Sequence, residues 1–349
     1  MKKFVFAAAL ASLVIILAVP SSANDSTAAI GLGGLELTQN DAISMDSEDL
    51  FLSRKLIRVT YRFTNTSAKD VETLVSFPLP PLPSGIDGYL ESASFSDWKD
   101  QLKFQTLVDG KAANLSYTEQ LSIIGRPDVK NVDVRLKELL WPVRYWEDYD
   151  FDEKYIGTLS DAEKAKLVKS GLLRKDPDSD YHAPNWQIQA HVTRMQKFPA
   201  GKTISVEHNY HPIAGGSVGG ALNAEYRKDP GMGFKDYAAA YCIDKSFLAA
   251  FDKRQAAAKK KEAASGDYYG GAYLEHWLDY VLKSGANWKG PIKDFRLVVD
   301  KEKPDNLLSF CMTGVKKISP TRFEVRKTNF EPTQDIRILI AEFYDPNTG

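Results

Sequence analysis

The chain has 349 residues, of which 43% are hydrophobic and 26% charged, with 45 basic side chains against 46 acidic ones. This is an ordinary globular composition, and the length allows one large or two medium domains. The formal charge of −1 leaves no basic excess to hold phosphates, which argues against a nucleic-acid partner.

The first element is a leader. Lys2 and Lys3 precede an almost continuous apolar run, Phe4 to Val19; Pro20 breaks it, and Ser21-Ser22-Ala23 offers small residues to a signal peptidase. This pattern predicts a signal peptide over residues 1–23, cleaved near Ala23. The apolar run is short for a membrane span of ~20 residues. No cysteine stands at the cleavage point for lipid attachment, and no later run is apolar enough to cross a bilayer. The expected location is the periplasm or outside the cell, with no integral membrane span in the mature chain.

A β-rich, sandwich-like domain is expected over residues 24–216. Leu35 and Leu37, then Ile43 and Met45, alternate with polar residues. In VTYRFTNTSAKDVETLVSFPLPPLP (residues 59–83), Val59, Tyr61 and Phe63 form one period-two run, and Val71, Thr73, Val75 and Phe77 form another. Asn65 to Asp70 is turn chemistry, so the expectation is an antiparallel hairpin. Pro78, Pro80, Pro81 and Pro83 lack amide donors and would end it as an edge, continuing in a polyproline-like course. Phe104–Val108 meets Asp109-Gly110, a hairpin-type turn signal, and Leu115–Ile124 can return.

A helical insertion follows over about residues 136–185. In it, Ser160-Asp-Ala-Glu163 forms a capping box for a helix Asp161–Ser170, which Gly171 would stop. Trp186–Val192 and Ile204–Tyr210 alternate as strands. An α+β domain is expected over 217–349, with a helix at about 244–264. A second helix, Leu274–Lys283, places Leu274, Trp277, Leu278 and Val281 at helical spacing. Phe295–Val299, Phe323–Val325 and Ile336–Ile340 read as the closing strands. The fold class is mainly β within α+β: sandwich-like sheets with helical insertions.

Cys242 and Cys311 are the only cysteines. In an oxidising compartment two such thiols pair. Their bridge would close a loop of about 70 residues, for which chain entropy gives roughly 4 kcal/mol.

The candidate chemistry is sparse. GGSVG at 215–219 matches G-x-S-x-G, but that motif needs a strand, an elbow holding the serine, and a helix; Pro212 and Ile213 intervene, and a poor helix former follows. His208 and His211 stand three apart at a strand end, where side chains point to opposite faces, and a metal needs three or four converging ligands. Asp148-x-Asp150-x-Asp152 and Asp176-x-Asp178-x-Asp180 lack the glycine and glutamate of a calcium loop. Lys259-Lys260-Lys261 reads as a solvated helix face. No metal, cofactor or catalytic set is expected.

Trp141, Tyr145, Trp146, Tyr149 and Phe151 crowd one short stretch beside carboxylates. Aromatic faces next to polar groups suit a sugar, a peptide or a partner surface, or they pack the insertion onto the sheets. Trp141, Tyr145, Trp146 and Tyr149 are the candidate binding residues.

Several segments carry a resemblance. They are the Asn24-Asp25 start after the leader, Phe77–Pro80, Val206–Pro212 (VEHNYHP), Ser284–Leu297 (SGANWKGPIKDFRL) and Ser309–Gly314 (SFCMTG). Together these resemble a family of exported proteobacterial proteins catalogued as a domain of unknown function. The resemblance implies a periplasmic location and supplies no catalytic residues. The YRFTNTS…FPLP stretch is also similar to hairpins of vault and inter-alpha-trypsin-type sandwich domains, which serve adhesion and assembly. The expected function is a non-catalytic binding or assembly module of the cell envelope, with an envelope protein or a glycan as partner. The alternatives are a periplasmic hydrolase acting through His208 and His211 or through Ser217, and a soluble carrier of an apolar ligand.

Overall fold

The computed structural model describes residues 24–31, 34–82, 89–90, 98–126, 128–177, 179–229, 233–266 and 272–345. The leader, its cleavage point at Ala23, Pro83 and Asp178 lie outside the described residues. Three sheets and a small hairpin account for the strands.

The first sheet is antiparallel, with the spatial order Gly34–Thr38, Ser26–Gly31, Val71–Pro78, Trp186–Phe198, Ser116–Ile123. The second has eight strands, in the order Lys316–Lys317, Arg322–Phe330, Ile292–Asp300, Ile43–Leu52, Ile57–Asn65, Thr203–Tyr210, Gln105–Val108, Lys111–Ala112. Among the described residues, only Ile292–Asp300 and Ile43–Leu52 run parallel. The third has five: Leu307–Phe310, Ile336–Phe343, Tyr273–Tyr280, Gly215–Val218, Tyr89–Leu90. Strands from either side of residue 216 share the second and third sheets, and the inner faces of all three sheets meet in one core.

The stretch 59–83 is not a hairpin. Ile57–Asn65 pairs with Ile43–Leu52 and Thr203–Tyr210, whereas Val71–Pro78 pairs with Ser26–Gly31 and Trp186–Phe198. The turn therefore carries the chain from one sheet to the facing one. Asn65 makes this possible. Its side-chain amide donates to the carbonyls of Lys69 and Phe198, each at 2.8 Å, and its oxygen accepts from the Ser67 amide at 2.9 Å. Backbone groups that a hairpin would pair are satisfied locally. Alternation fits both outcomes, because Tyr61 and Phe63 face Phe77 and Phe198 across the core as readily as beside them.

The predicted helix Leu274–Lys283 is also corrected. Tyr273–Tyr280 is a strand, paired along its length with Ile336–Phe343, and a 3-10 turn Lys283–Asn287 follows. This strand is covered on both sides. Leu278 and Tyr280 enter the main core, while Tyr273 and Trp277 meet a second cluster with Tyr241 and Phe251. A strand with two apolar faces loses its period-two signature and imitates helical spacing.

The helices Asp161–Ser170 and Lys245–Ser265 form as expected. The first has its capping box on Ser160 and Glu163, with Gly171 at the left-handed stop; the second is capped by Asp244 accepting from the Phe247 amide at 2.7 Å. The insertion has its own small core, where Val132, Leu136, Trp141 and Phe151 pack on Trp186. Cys242 and Cys311 are disulfide-bonded. Among the described residues no helix is long and apolar enough to cross a membrane.

The glycine-rich stretch has a packing role. Gly220 has φ +151°, and a Cβ there would lie 2.6 Å from the Glu275 Oε1. Glu275 is buried, which raises its carboxyl pKa, and it accepts from the Tyr237 and Tyr273 hydroxyls and the Leu222 amide. Gly220→Ala is therefore expected to destabilise the fold by about 1–3 kcal/mol through forced displacement of that carboxylate. A denaturant titration of the variant reads this directly.

Candidate functional site

The prolines after Phe77 open a cleft. The Leu79 amide still donates to Ala190 O at 2.7 Å, and Leu82 and Ile188 exchange backbone bonds at 2.8 and 2.6 Å. Pro80 and Pro81 between them have no N–H to give, and the chain stays beside Trp186–Phe198 while both prolines line the cleft. Facing them are Tyr210 at a strand end, Ile213 beyond it, Trp277 and Asp279 from the third sheet, and Tyr241 at the close of the helix Phe234–Tyr241. Together they line a cleft that is partly open to solvent.

Its walls are apolar and aromatic, and two of the residues that line it carry a buried polar atom without a hydrogen-bond partner: the Tyr210 hydroxyl and the Asp279 Oδ1. Burial pushes the Asp279 carboxyl up to about 6, with Arg337 opposing and Asp335 reinforcing the shift. Burial likewise raises the Tyr210 phenol far above its usual range, so it stays protonated and can donate. Buried polar atoms are normally hydrogen-bonded. Two such atoms belong to residues lining one apolar cleft, which makes it the candidate site.

A second, smaller recess adjoins, sharing Leu79, Pro80, Leu82 and Ile213 with the first. Trp146 of the insertion lines it, with the Arg144–Glu119 ion pair at its edge.

The four aromatic candidates thus separate. Trp141 is only 7% exposed and packs between Phe151 and Trp186, at ring distances of 5.6 and 6.0 Å. Tyr145 is half-buried, edge-on to Trp186 at 5.0 Å. Trp146 reaches the recess, and Tyr149 is fully exposed beside Asp148 and Lys154 in an open surface depression.

His208 and His211 do not converge: His208 is wholly buried and His211 is exposed. Ser217 lies inside the strand Gly215–Val218, opposite Glu275, not on an elbow before a helix. In the acidic tracts, Lys154 pairs with Asp148 at 2.8 Å and Asp150 at 3.6 Å, and Lys175 pairs with Asp180 at 3.0 Å. Among the described residues no group of three or more His, Cys, Asp or Glu side chains is placed to hold a metal. The sequence reading missed Tyr210, Trp277 and Asp279. Its one usable signal was the proline run, which ends strand pairing and leaves a cleft wall.

Comparison with curated proteins returns no match. Among solved structures, the chain is similar to a "putative nutrient binding protein" from Legionella pneumophila subsp. pneumophila str. Philadelphia 1. The identity is 14% and the TM-score 0.43, covering 91% of this chain and 70% of that one. The family described as domain of unknown function (DUF4424) matches residues 23–339, and the chain belongs to that family.

Proposed function

We propose that the protein is an exported, non-catalytic binding module of the cell envelope whose cleft takes an apolar ligand bearing an amine or hydroxyl donor. The observation that carries this reading is the pairing of apolar walls with two unpartnered polar atoms, Tyr210 Oη and Asp279 Oδ1. Export is supported by the leader pattern of residues 1–23 and by the Cys242–Cys311 bridge, a bond of oxidising compartments. An aliphatic or aromatic body would fill the space between Pro80, Pro81, Ile213 and Trp277, and the donor would meet Asp279. Such a ligand could be free or presented by an envelope protein or a glycan.

The test is fluorescence titration with N-phenyl-1-naphthylamine, followed by displacement. Saturable binding is expected, with dodecylamine displacing the probe far better than dodecanoate. Asp279→Asn removes that preference, costing the amine about tenfold to a hundredfold, the range for a hydrogen bond to a charged group. Because the Asp279 carboxyl is held at about 6, the amine preference is present above that pH and declines as pH falls through it. Absence of saturable binding, or equal displacement by both chain types, would remove the reading.

A further inference from the structure

The residues that follow the expected cleavage point are deeply embedded. Asn24, Asp25 and Ser26 are 0% exposed. The Asn24 backbone N–H donates to the Ser284 hydroxyl, which in turn donates to Asn24 O at 2.6 Å. The Asn24 side-chain amide donates to Glu48 Oε2 at 2.8 Å, and its oxygen accepts from the Tyr61 hydroxyl. Gly285 leaves room for this: a Cβ there would fall 2.6 Å from Asn24 Nδ2. Asp25 O accepts from the Trp288 indole, and Ser26 Oγ accepts from the Asn287 amide at 3.0 Å.

The two carboxyls of this cluster are held differently. The Asp25 carboxylate is held by Arg194 at 2.6 and 3.1 Å and by His208 Nε2 at 3.2 Å. Glu48 has no such cation. Its Oε1 is buried without a partner, and Asp25 and the phenols of Tyr61 and Tyr280 surround it. Burial first, and the Asp25 charge after it, push its carboxyl up to about 8. At neutral pH that favours the uncharged acid, and a cation placed beside it would favour the carboxylate. Asn24, whose side chain bonds Glu48, is where processing would create one.

We propose that hydrolysis of the Ala23–Asn24 bond completes this core, the amine it frees at Asn24 becoming the buried cation opposite Glu48. The inference rests on the export reading. Water adds across the peptide bond: its oxygen ends on the leader as the Ala23 carboxylate, and its protons convert the Asn24 amide nitrogen to an ammonium. One ammonium N–H keeps the Ser284 bond, and two remain to donate. Covalent geometry keeps that nitrogen within roughly 7 Å of the carboxylate that the same residue's side chain already holds. The unprocessed chain has a neutral amide there and leaves Glu48 unmatched. Leader removal is thus coupled to closure of the first strand onto the two facing sheets, a lock that operates after export.

The experiment compares the chain beginning at Asn24, released from a fusion by a protease that leaves no extra residue, with the same chain extended by Gly-Ser-Met. Each is made with Glu48 and with Glu48→Gln. The free amine is expected to raise the thermal midpoint by about 4 °C, and Glu48→Gln to abolish the difference. In the unsubstituted protein, reductive methylation at Asn24 should be slow until the fold opens. Equal midpoints for both termini, or an α-amine that reacts freely in the folded protein, overturns the lock while leaving export intact. An N-terminus other than Asn24 on protein recovered from the periplasm overturns the processing step itself.

Discussion

Arg194→Met is expected to lower stability by about 3–5 kcal/mol, the cost of stranding one partner of a buried ion pair. Arg194 is 4% exposed and meets Asp25 through both terminal guanidinium nitrogens. Burial opposes the Asp25 charge, but Arg194 and then His208 outweigh it and hold the carboxyl well below its usual range. A depressed carboxyl contributes stability above its unfolded value, near 3.8, and loses it only as pH falls through the folded value.

Without the guanidinium, the sign reverses. Asp25 then behaves as an unpaired buried carboxyl with a raised pKa, so the variant should gain stability as pH falls from neutral towards 5. Burial lowers the His208 pKa, and Thr106 Oγ1 lies 2.8 Å from its Nδ1, so it replaces the lost charge poorly. Urea midpoints at pH 5 and pH 7.5 measure the effect. The second variant, Arg194→Met with Asp25→Asn, should recover much of the loss, because both charges are then gone. A single variant within about 1 kcal/mol of the parent protein would contradict the pairing's role.

This cluster also shows what a sequence can and cannot carry. Asn24-Asp25, VEHNYHP and SGANW were legible as separate segments, and in the fold Asn24, Asp25, His208, Ser284 and Trp288 meet at one place. No periodicity links residues some 260 positions apart. Most strands were legible because their alternation reflects one buried face, as in Ile57–Asn65. Which strand sits beside which was not: Tyr61 and Phe77 present the same pattern whether they share a sheet or face one another. The strand Tyr273–Tyr280 failed for the opposite reason, since its two covered faces erase alternation. The cleft depends on two strand ends and a helix end converging, and Tyr210 and Asp279 differ from ordinary strand residues only by the partners they lack.

Removing the disulfide by Cys242→Ser and Cys311→Ser is the other large effect, an expected loss of roughly 4 kcal/mol for a loop of this length. The bridge spans 69 positions and joins the end of the helix Phe234–Tyr241 to the end of the edge strand Leu307–Phe310. Its neighbourhood is a small cluster. Tyr241, Phe251, Tyr273 and Leu339 pack there apart from the main core, and the Ser309 hydroxyl donates to Tyr241 O at 2.8 Å. The helical layer over the third sheet therefore leans on the bridge more than the sheets do. Amide exchange in 234–265 should accelerate strongly on reduction, while Ile57–Asn65, embedded between two strands and facing the main core, should keep its protection. Uniform acceleration across both regions would mean that the layer and the sheets unfold as one unit, and a loss under about 1 kcal/mol would mean that packing alone holds the helices. Because Tyr241 also lines the cleft, loosening this layer should weaken binding of the apolar probe in parallel, tying the bridge to the site it flanks.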